Sequence, residues 1–495
     1  MDDTGYHAPQ ERRTESGAAQ HFRRMTTRLH LHQDRLFPAD PSVRAIARRL
    51  YESVARLPIL SPHGHTDPQW FARNHAFTNA TELLLAPDHY LYRMLYSQGV
   101  DLRSLGVPSR QGPSDVDPRE AWRTFAAHFH LFHGTPSSLW LNYVFAEVFG
   151  LQVQLEPDTA DTYYDRIGEQ LQRAEFRPRA LFDRFNIEVL ATTESPVDSL
   201  EHHETIRGSG WPGRVITAYR PDAVIDAEHE NFSTALERFG DLTGEDVWSW
   251  EGYLNAHRAR RAAFAAVGAT STDHGHPTAA TADLSRAEAQ RLFERIIAGT
   301  HTSHDAELFR AAMLVEMARM SLDDGLVMQI HPGVLRNHSS AIFTTYGLDK
   351  GYDIPIQTEY TRAVRPMLDR FGTDPRFRVI LFTVDETVYS RELAPIAGTY
   401  PSVRLGAPWW FLDSPEGMRR FRESATETAG FYNTSGFVDD TRAFASIPAR
   451  HDLFRRVDAG YLARLVLEHR LGLDEAIETA IDLTYNLPKE SYRRP

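Results

Sequence analysis

Two histidines one residue apart, His63 and His65, close the short apolar run Leu57-Pro58-Ile59-Leu60-Ser61-Pro62. On extended backbone, side chains at i and i+2 point the same way. Both imidazoles can therefore aim at one point just beyond a strand end, and two converging neutral imidazoles are half of a typical zinc or related transition-metal site. The pair alone is a weak signal, because 23 histidines occur in the chain and ordinary surface histidines give the same spacing. Its weight comes from repetition, since other short apolar runs also stop at residues able to do chemistry.

Those runs follow one another along the chain. Asn186–Thr193 ends at Glu194, Val215–Tyr219 ends at Arg220-Pro221-Asp222, and Ala266–Thr272 ends at Asp273-His274. Leu326–Ile330 ends at His331 with Arg336 beyond it, and Arg378–Thr383 ends at Val384-Asp385-Glu386. Val403–Gly406 runs to Pro408-Trp409-Trp410, and Gly436–Val438 to Asp439-Asp440-Thr441-Arg442. With the first run these make eight candidate strands, separated mostly by longer helical stretches. Eight strands joined by helical crossovers, with polar residues at their C-terminal ends, predict an α/β fold of the (β/α)₈ TIM-barrel type. An open doubly wound sheet is the alternative, but no Gly-rich phosphate loop follows any run and the polar ends do not gather at one switch point.

The elements that must position these residues are also legible. Asp40-Pro41 opens a helix, with Asp40 as N-cap, and Val43, Ile46, Leu50, Val54 and Leu57 follow at helical spacing into the first strand. Residues 76–185 carry helical patterns such as Ala121–Phe125 and Leu139–Phe145, and read as a helical insertion after strand one. Residues 1–35 are polar and aperiodic, and read as a disordered tail. The barrel is then expected over 36–75 and 186–495.

Composition narrows the chemistry. With 42% hydrophobic and 24% charged residues the chain suits a soluble globular enzyme with a large core. A formal charge of −13 argues against a general nucleic-acid or anionic-membrane surface, although one pocket can be locally basic. Cysteine is absent, so a metal must sit on His, Asp or Glu. Lys350 and Lys489 are the only lysines, which nearly removes lysine from the possible catalytic groups. There is no signal-peptide apolar core behind the N-terminal arginines and no apolar run near the length of a membrane span, so the expected location is cytoplasmic.

The ordered motifs resemble the uronate (glucuronate) isomerases, an outlying branch of the metal-dependent amidohydrolase superfamily. The resemblance runs from about residue 35 to the end. It rests on His63-Gly64-His65, Asp88-His89-Tyr90-Leu91-Tyr92-Arg93, Thr192–Leu200, Arg220-Pro221-Asp222, Asp273-His274-Gly275, Gln329–Asn337, Trp409-Trp410-Phe411 and Asp440–Phe444. One motif departs: the family usually carries Thr-Thr-Asp-Asp-Pro after strand two, where this chain has Glu194-Ser195 before the proline. Ser195 supplies no charge, which bears on substrate preference more than on reaction type.

The resemblance implies an aldose–ketose isomerase that interconverts D-glucuronate or D-galacturonate and the 2-ketohexuronate, D-fructuronate or D-tagaturonate, through an enediol. It implies one divalent ion, zinc by ligand type, held by His63, His65 and Asp440 and binding the C6 carboxylate and C5 hydroxyl, with no nucleotide cofactor. Asp440 would help take the C2 proton, Arg442 would hold neighbouring oxygens, and Tyr90 would shuttle protons between O1 and O2. His89, Arg93, Arg220, Asp273, Arg336 and Trp409 would form the substrate wall, with His331 either a metal-side ligand or a hydrogen-bonding partner. A small-molecule hexuronate and a homo-oligomeric assembly are the implied partners.

Read from residue type alone, several of these stay open. Asp440 after a strand is also a common helix cap, Arg442 a common surface ion-pair partner, and Tyr90 or Trp409 a common core aromatic. Two rival functions remain at this level: a mononuclear metal-dependent hydrolase of the same superfamily, and a catalytically silent uronate-binding barrel. A binuclear hydrolase would use a carboxylated lysine after strand four, and Lys350 and Lys489 lie elsewhere.

Overall fold

The computed structural model describes residues 28–494. Among the described residues there are nine strands: β1 (Ile59–Ser61), β2 (Ile187–Glu194), β3 (Arg214–Tyr219), β4 (Ser271–His274), β5 (Val327–Ile330), β6 (Val334–Leu335), β7 (Ile354–Pro355), β8 (Val379–Leu381) and β9 (Val403–Leu405). Seven form one parallel sheet in the order β1-β2-β3-β4-β5-β8-β9, so strands adjacent in the chain are adjacent in the sheet. The other two, β6 and β7, make a small antiparallel hairpin in the loop after β5. Helices such as Trp250–Ala266 and Ser303–Asp324 cross between the parallel strands, as βαβ connections require.

The expected eighth strand, Gly436–Val438, is not a strand. Gly436 takes φ +68, where a Cβ would meet Leu483 O at 2.6 Å. The amide of Phe437 then donates to Leu483 O (3.0 Å), and Val438 O accepts from the Trp409 indole (2.7 Å). Ladder groups are thus spent elsewhere, yet the segment still fills the gap in the ring. Leu405 N donates to Asn433 O (2.8 Å) and Ser435 N to Leu405 O (2.9 Å) on one side, and His65 N donates to Thr441 O (2.8 Å) on the other. A second correction concerns strand four. Helix Trp250–Ala266 runs to the start of the expected strand, and Gly268 (φ +108) turns the chain, so β4 begins only at Ser271 and includes Asp273 and His274.

The first helix forms as its sequence dictates: Asp40 accepts from Ser42 N (2.8 Å) and Val43 N (3.0 Å), and Pro41–Val54 follows. Between β1 and β2 the chain is built of helices, among them His89–Ser97, Pro118–Ala127 and Ala160–Leu171, around a buried cluster that includes Phe71, Trp122, Phe125, Phe145 and Tyr163. Most of the expected N-terminal tail lies outside the described residues. Its last part is ordered: Leu29 is buried and donates to Gln152 O (2.9 Å), and Arg28 bridges Val153. The sequence missed this because one short bridge has no periodicity to read. No helix among the described residues is long and apolar enough to cross a membrane.

Candidate active site

The C-terminal ends of the parallel strands open into a cavity of about 850 Å³. His63 and His65 project from the chain just past β1, separated by Gly64. A Cβ on Gly64 would stand 3.2 Å from Ala191 O and 3.3 Å from Thr441 O, so glycine lets the backbone nest between its neighbours. Thr193 Oγ1 donates to Gly64 O (2.9 Å), fixing the turn. The two imidazoles meet edge-on, with centroids 5.1 Å apart, and converge on a single carboxylate oxygen. His63 Nε2 lies 3.4 Å and His65 Nε2 3.2 Å from Asp440 Oδ1.

Asp440 and its neighbour Asp439 do different jobs. Asp439 is turned inward, accepting from Thr441 Oγ1 (2.6 Å) and facing His451 Nε2 (3.0 Å). Asp440 faces the cavity, where its second oxygen accepts from Trp410 Nε1 (2.6 Å). The helix-cap alternative for Asp440 does not hold, because the next helical turn starts at Phe444 with Ala443 before it. Burial alone would raise the Asp440 pKa, but the charges and hydrogen bonds of His65 and His63 outweigh it and hold the carboxyl well below its usual range.

These residues fit a metal. One ligand atom from each of His63, His65 and Asp440 lies within 4.8 Å of the other two, and the donor set of two imidazole nitrogens and one carboxylate oxygen suits a zinc-like dication. Burial lowers the His65 pKa to about 4, while against its own burial Asp273 and Asp440 raise that of His63.

Asp273, on β4, organises the floor. It is fully buried and does not line the cavity; its Oδ1 sits 2.8 Å from His331 Nε2 and 3.8 Å from His63 Nδ1, and its Oδ2 3.4 Å from Arg220 Nη1. Burial pushes its pKa up, but His331, His63 and Arg220 together bring it far below the ordinary carboxylate value. His331 and Arg220 line the cavity, and Arg220 also holds Asp222 (Nε–Oδ2 3.0 Å).

The opposite wall comes from helix His89–Ser97, whose N-cap Asp88 accepts from Tyr90 N (2.9 Å). His89 and Tyr90 therefore occupy its first turn, and both line the cavity. Burial, then the nearby Asp440 charge, raises the Tyr90 pKa well above 10, so the phenol keeps its proton. Burial and Arg442 bring His89 down to about 3, which makes it neutral. Arg442 also lines the cavity and pairs with Asp349 (3.3 Å). Arg336 pairs with Asp353 (2.8 Å) and lies over the Trp410 ring at 4.6 Å.

Besides Asp273, two further expected wall residues do not face the cavity. Trp409 is 2% exposed; it stacks on His63 (4.3 Å between centroids) and on Phe382 (3.5 Å), so it backs the His63 imidazole instead of facing the cavity. Arg93 lies over the rings of Phe411 (4.8 Å) and Tyr90 (5.6 Å), behind the wall. The tryptophan that does line the cavity is Trp410, at φ +53. Sequence reasoning had the tryptophan pair but no means to choose between its members, because the left-handed turn at Trp410 breaks the alternation. It also missed Asp349, which sits at φ +60 in the turn Asp349-Lys350-Gly351 with no periodic pattern around it.

Glu194, at the end of β2, lines the cavity and accepts hydrogen bonds from Thr192 Oγ1 (2.8 Å) and Thr217 Oγ1. Burial pushes its pKa up to about 7. The neighbouring Ser195 supplies a hydroxyl without a hydrogen-bond partner.

The sequence relatives agree with this geometry. The family model for glucuronate isomerase matches residues 42–492. A uronate isomerase of Phenylobacterium zucineum is 68% identical over 469 residues, covering 95% of this chain and 98% of that protein. The crystal structure of glucuronate isomerase from Caulobacter crescentus superposes with a TM-score of 0.93 at 64% identity, over 94% of this chain and 98% of that one. A uronate isomerase structure from Thermotoga maritima gives 0.87 at 27% identity, over 94% of this chain and all (100%) of that one. With residues 42–492 matched by the family model and nearly its whole length shared with these relatives, the chain belongs to the glucuronate isomerase family.

Proposed function

We propose that this protein interconverts an aldohexuronate, D-glucuronate or D-galacturonate, and the corresponding 2-ketohexuronate by proton transfer through an enediol. The observation that carries the reading is the meeting of ionised Asp440, protonated Tyr90 and the converging imidazoles of His63 and His65 around one cavity. His63, His65 and Asp440 would hold one divalent ion there, zinc by donor type. Such an ion supplies positive charge that orients the anionic sugar acid and steadies charge developing on its oxygens.

The chain's own groups account for the proton movements. Asp440 takes the proton from C2 while Tyr90 donates to O1, giving the enediol. Asp440 then returns its proton to C1 as Tyr90 recovers one from O2, so both groups end as they began. Arg442 and Arg336 bring positive charge to a chain of net charge −13, which suits a carboxylate substrate held by guanidinium forks. Arg220 adds charge from the floor, with Asp273 and His331 holding its geometry. Arg93 and Trp409 support Tyr90 and His63 from behind.

The binuclear hydrolase reading loses support from the lysines. Lys489 pairs with Glu188 (3.0 Å), and Lys350 sits in the turn beside Asp349, so neither stands after β4. The same proposal takes the enzyme to be a cytoplasmic homo-oligomer. Leu335, Ile354 and Ile356, exposed around the β6–β7 hairpin, support self-association. Incubating zinc-loaded protein with each uronate and following ketose signals by NMR tests the activity and ranks the substrates. Conversion of one or both is expected; turnover of neither, with hydrolysis of an amide or lactone panel, would overturn it.

A further inference from the structure

Behind the floor of the cavity, a second group of ligand-type side chains comes together. Asp222, His274 and His276 each offer one donor atom, and these lie within 4.8 Å of one another. Asp222 follows β3, and His274 ends β4. Side chains alternate along a strand, so His274 points away from Asp273 and from the His63–His331 side that Asp273 serves. Asp222 and His276 line the cavity edge.

The hydrogen bonding of this group is incomplete. His274 is 0% and His276 4% exposed. His274 Nε2 meets Thr272 Oγ1 (3.0 Å), but its Nδ1 has no partner, and neither ring nitrogen of His276 has one. Asp222 Oδ1 stands 3.7 Å from His276 Nε2, beyond hydrogen-bond reach. Leaving a buried polar atom unpaired is destabilising, and three such nitrogens in one spot are better explained by a ligand than by tolerance.

Charge favours a cation. Arg220 occupies Asp222 Oδ2 (3.0 Å) but is shared with Asp273 (3.4 Å), so one guanidinium faces two carboxylates. Gly275 N donates to Asp222 Oδ2 (3.1 Å) and at longer range to Oδ1 (3.4 Å), and Oδ1 is the oxygen on the imidazole side. Gly275 itself is required here, since a Cβ would stand 2.4 Å from Arg220 Nη2.

We propose that Asp222, His274 and His276 form a second metal site, for a zinc-class dication, distinct from the His63–His65–Asp440 set. Two imidazoles and one carboxylate are a normal zinc donor set, and a fourth position would face the cavity, where water can complete the shell. The ion would tie the segment after β3 to the end of β4 and so fix Arg220 from its far side.

The test counts ions. Full-length protein is stripped with a chelator, loaded with ZnCl₂ or CoCl₂, and analysed by mass spectrometry of total metal and by cobalt visible absorption. Two ions per chain are expected in the wild type, one in His63→Asn/His65→Asn, and one in His274→Asn/His276→Asn. Because the last variant removes two buried side chains, Asp222→Asn is measured beside it. It keeps the side-chain shape, and it should weaken the second ion's Kd at least about 10-fold while leaving the first bound. One ion in the wild type with none in His63→Asn/His65→Asn would overturn the proposal. So would two ions in the wild type with unchanged binding in Asp222→Asn.

Discussion

Trp410 and Asp440 are joined by a 2.6 Å hydrogen bond from the indole Nε1 to Oδ2, while Oδ1 of the same carboxylate faces His65 and His63. One oxygen is thereby committed to the imidazole side and the other to an indole on the cavity wall. The carboxylate cannot rotate without losing one set of contacts. Hydrogen bonds to charged groups are worth about 1.5–3 kcal/mol. Trp410→Phe should therefore lower kcat about 10- to 100-fold in steady-state kinetics, with a smaller change in KM. An unchanged kcat would show that the indole does not orient the base.

Tyr90 tests the proton donor separately. Its hydroxyl is expected to move protons between O1 and O2, so Tyr90→Phe should reduce kcat by about 10²–10⁴-fold, the range of general acid–base groups. The ring still stacks beside His89 (4.5 Å), so the melting temperature should hardly move. A large loss of stability with little loss of turnover per folded molecule would make Tyr90 a packing residue.

Glu194 gives a pH-dependent stability prediction. Burial raises its pKa from the ordinary 4.5 to about 7, against hydrogen bonds from Thr217 and Thr192 that pull it down. Between these values the folded chain keeps a proton that the unfolded chain has released. Stability therefore falls as pH rises through that window. Glu194→Gln removes the penalty. Relative to wild type it should be about neutral near pH 4.5 and more stable by about 1–3 kcal/mol near pH 8, read from denaturant melts at both pH values. A difference that does not change with pH would show that Glu194 titrates normally.

Metal removal addresses the histidine pair. Chelator-stripped enzyme should lose turnover and recover it with ZnCl₂, whereas His63→Asn/His65→Asn should recover none. Full turnover by protein shown to be metal-free would remove the ion from the reaction.

Much of this architecture was legible before the fold because it follows strict periods. Apolar runs ending at His63, Glu194, Arg220 and His331 identified parallel strands, and Asp40-Pro41 marked the first helix start. The failures have local causes. The segment at Gly436 spends its backbone groups on Leu483 and the Trp409 indole, which no pattern reveals. Trp410 takes the cavity place expected of Trp409 because of one left-handed residue. Asp349 reaches Arg442 from a turn about 90 residues away in sequence, a pairing only the fold creates.

The central claim is that Asp440 is the base, and Asp440→Asn tests it most directly. The substitution keeps size and can still accept from Trp410, but it loses the charge and the proton acceptor. Turnover of the preferred uronate, measured with bound zinc verified in the same sample, should fall by about 10²–10⁴-fold. KM should change less, because Arg442 and Arg336 still line the cavity. Near-wild-type kcat in zinc-loaded Asp440→Asn would contradict the account and move the proton transfer to another group.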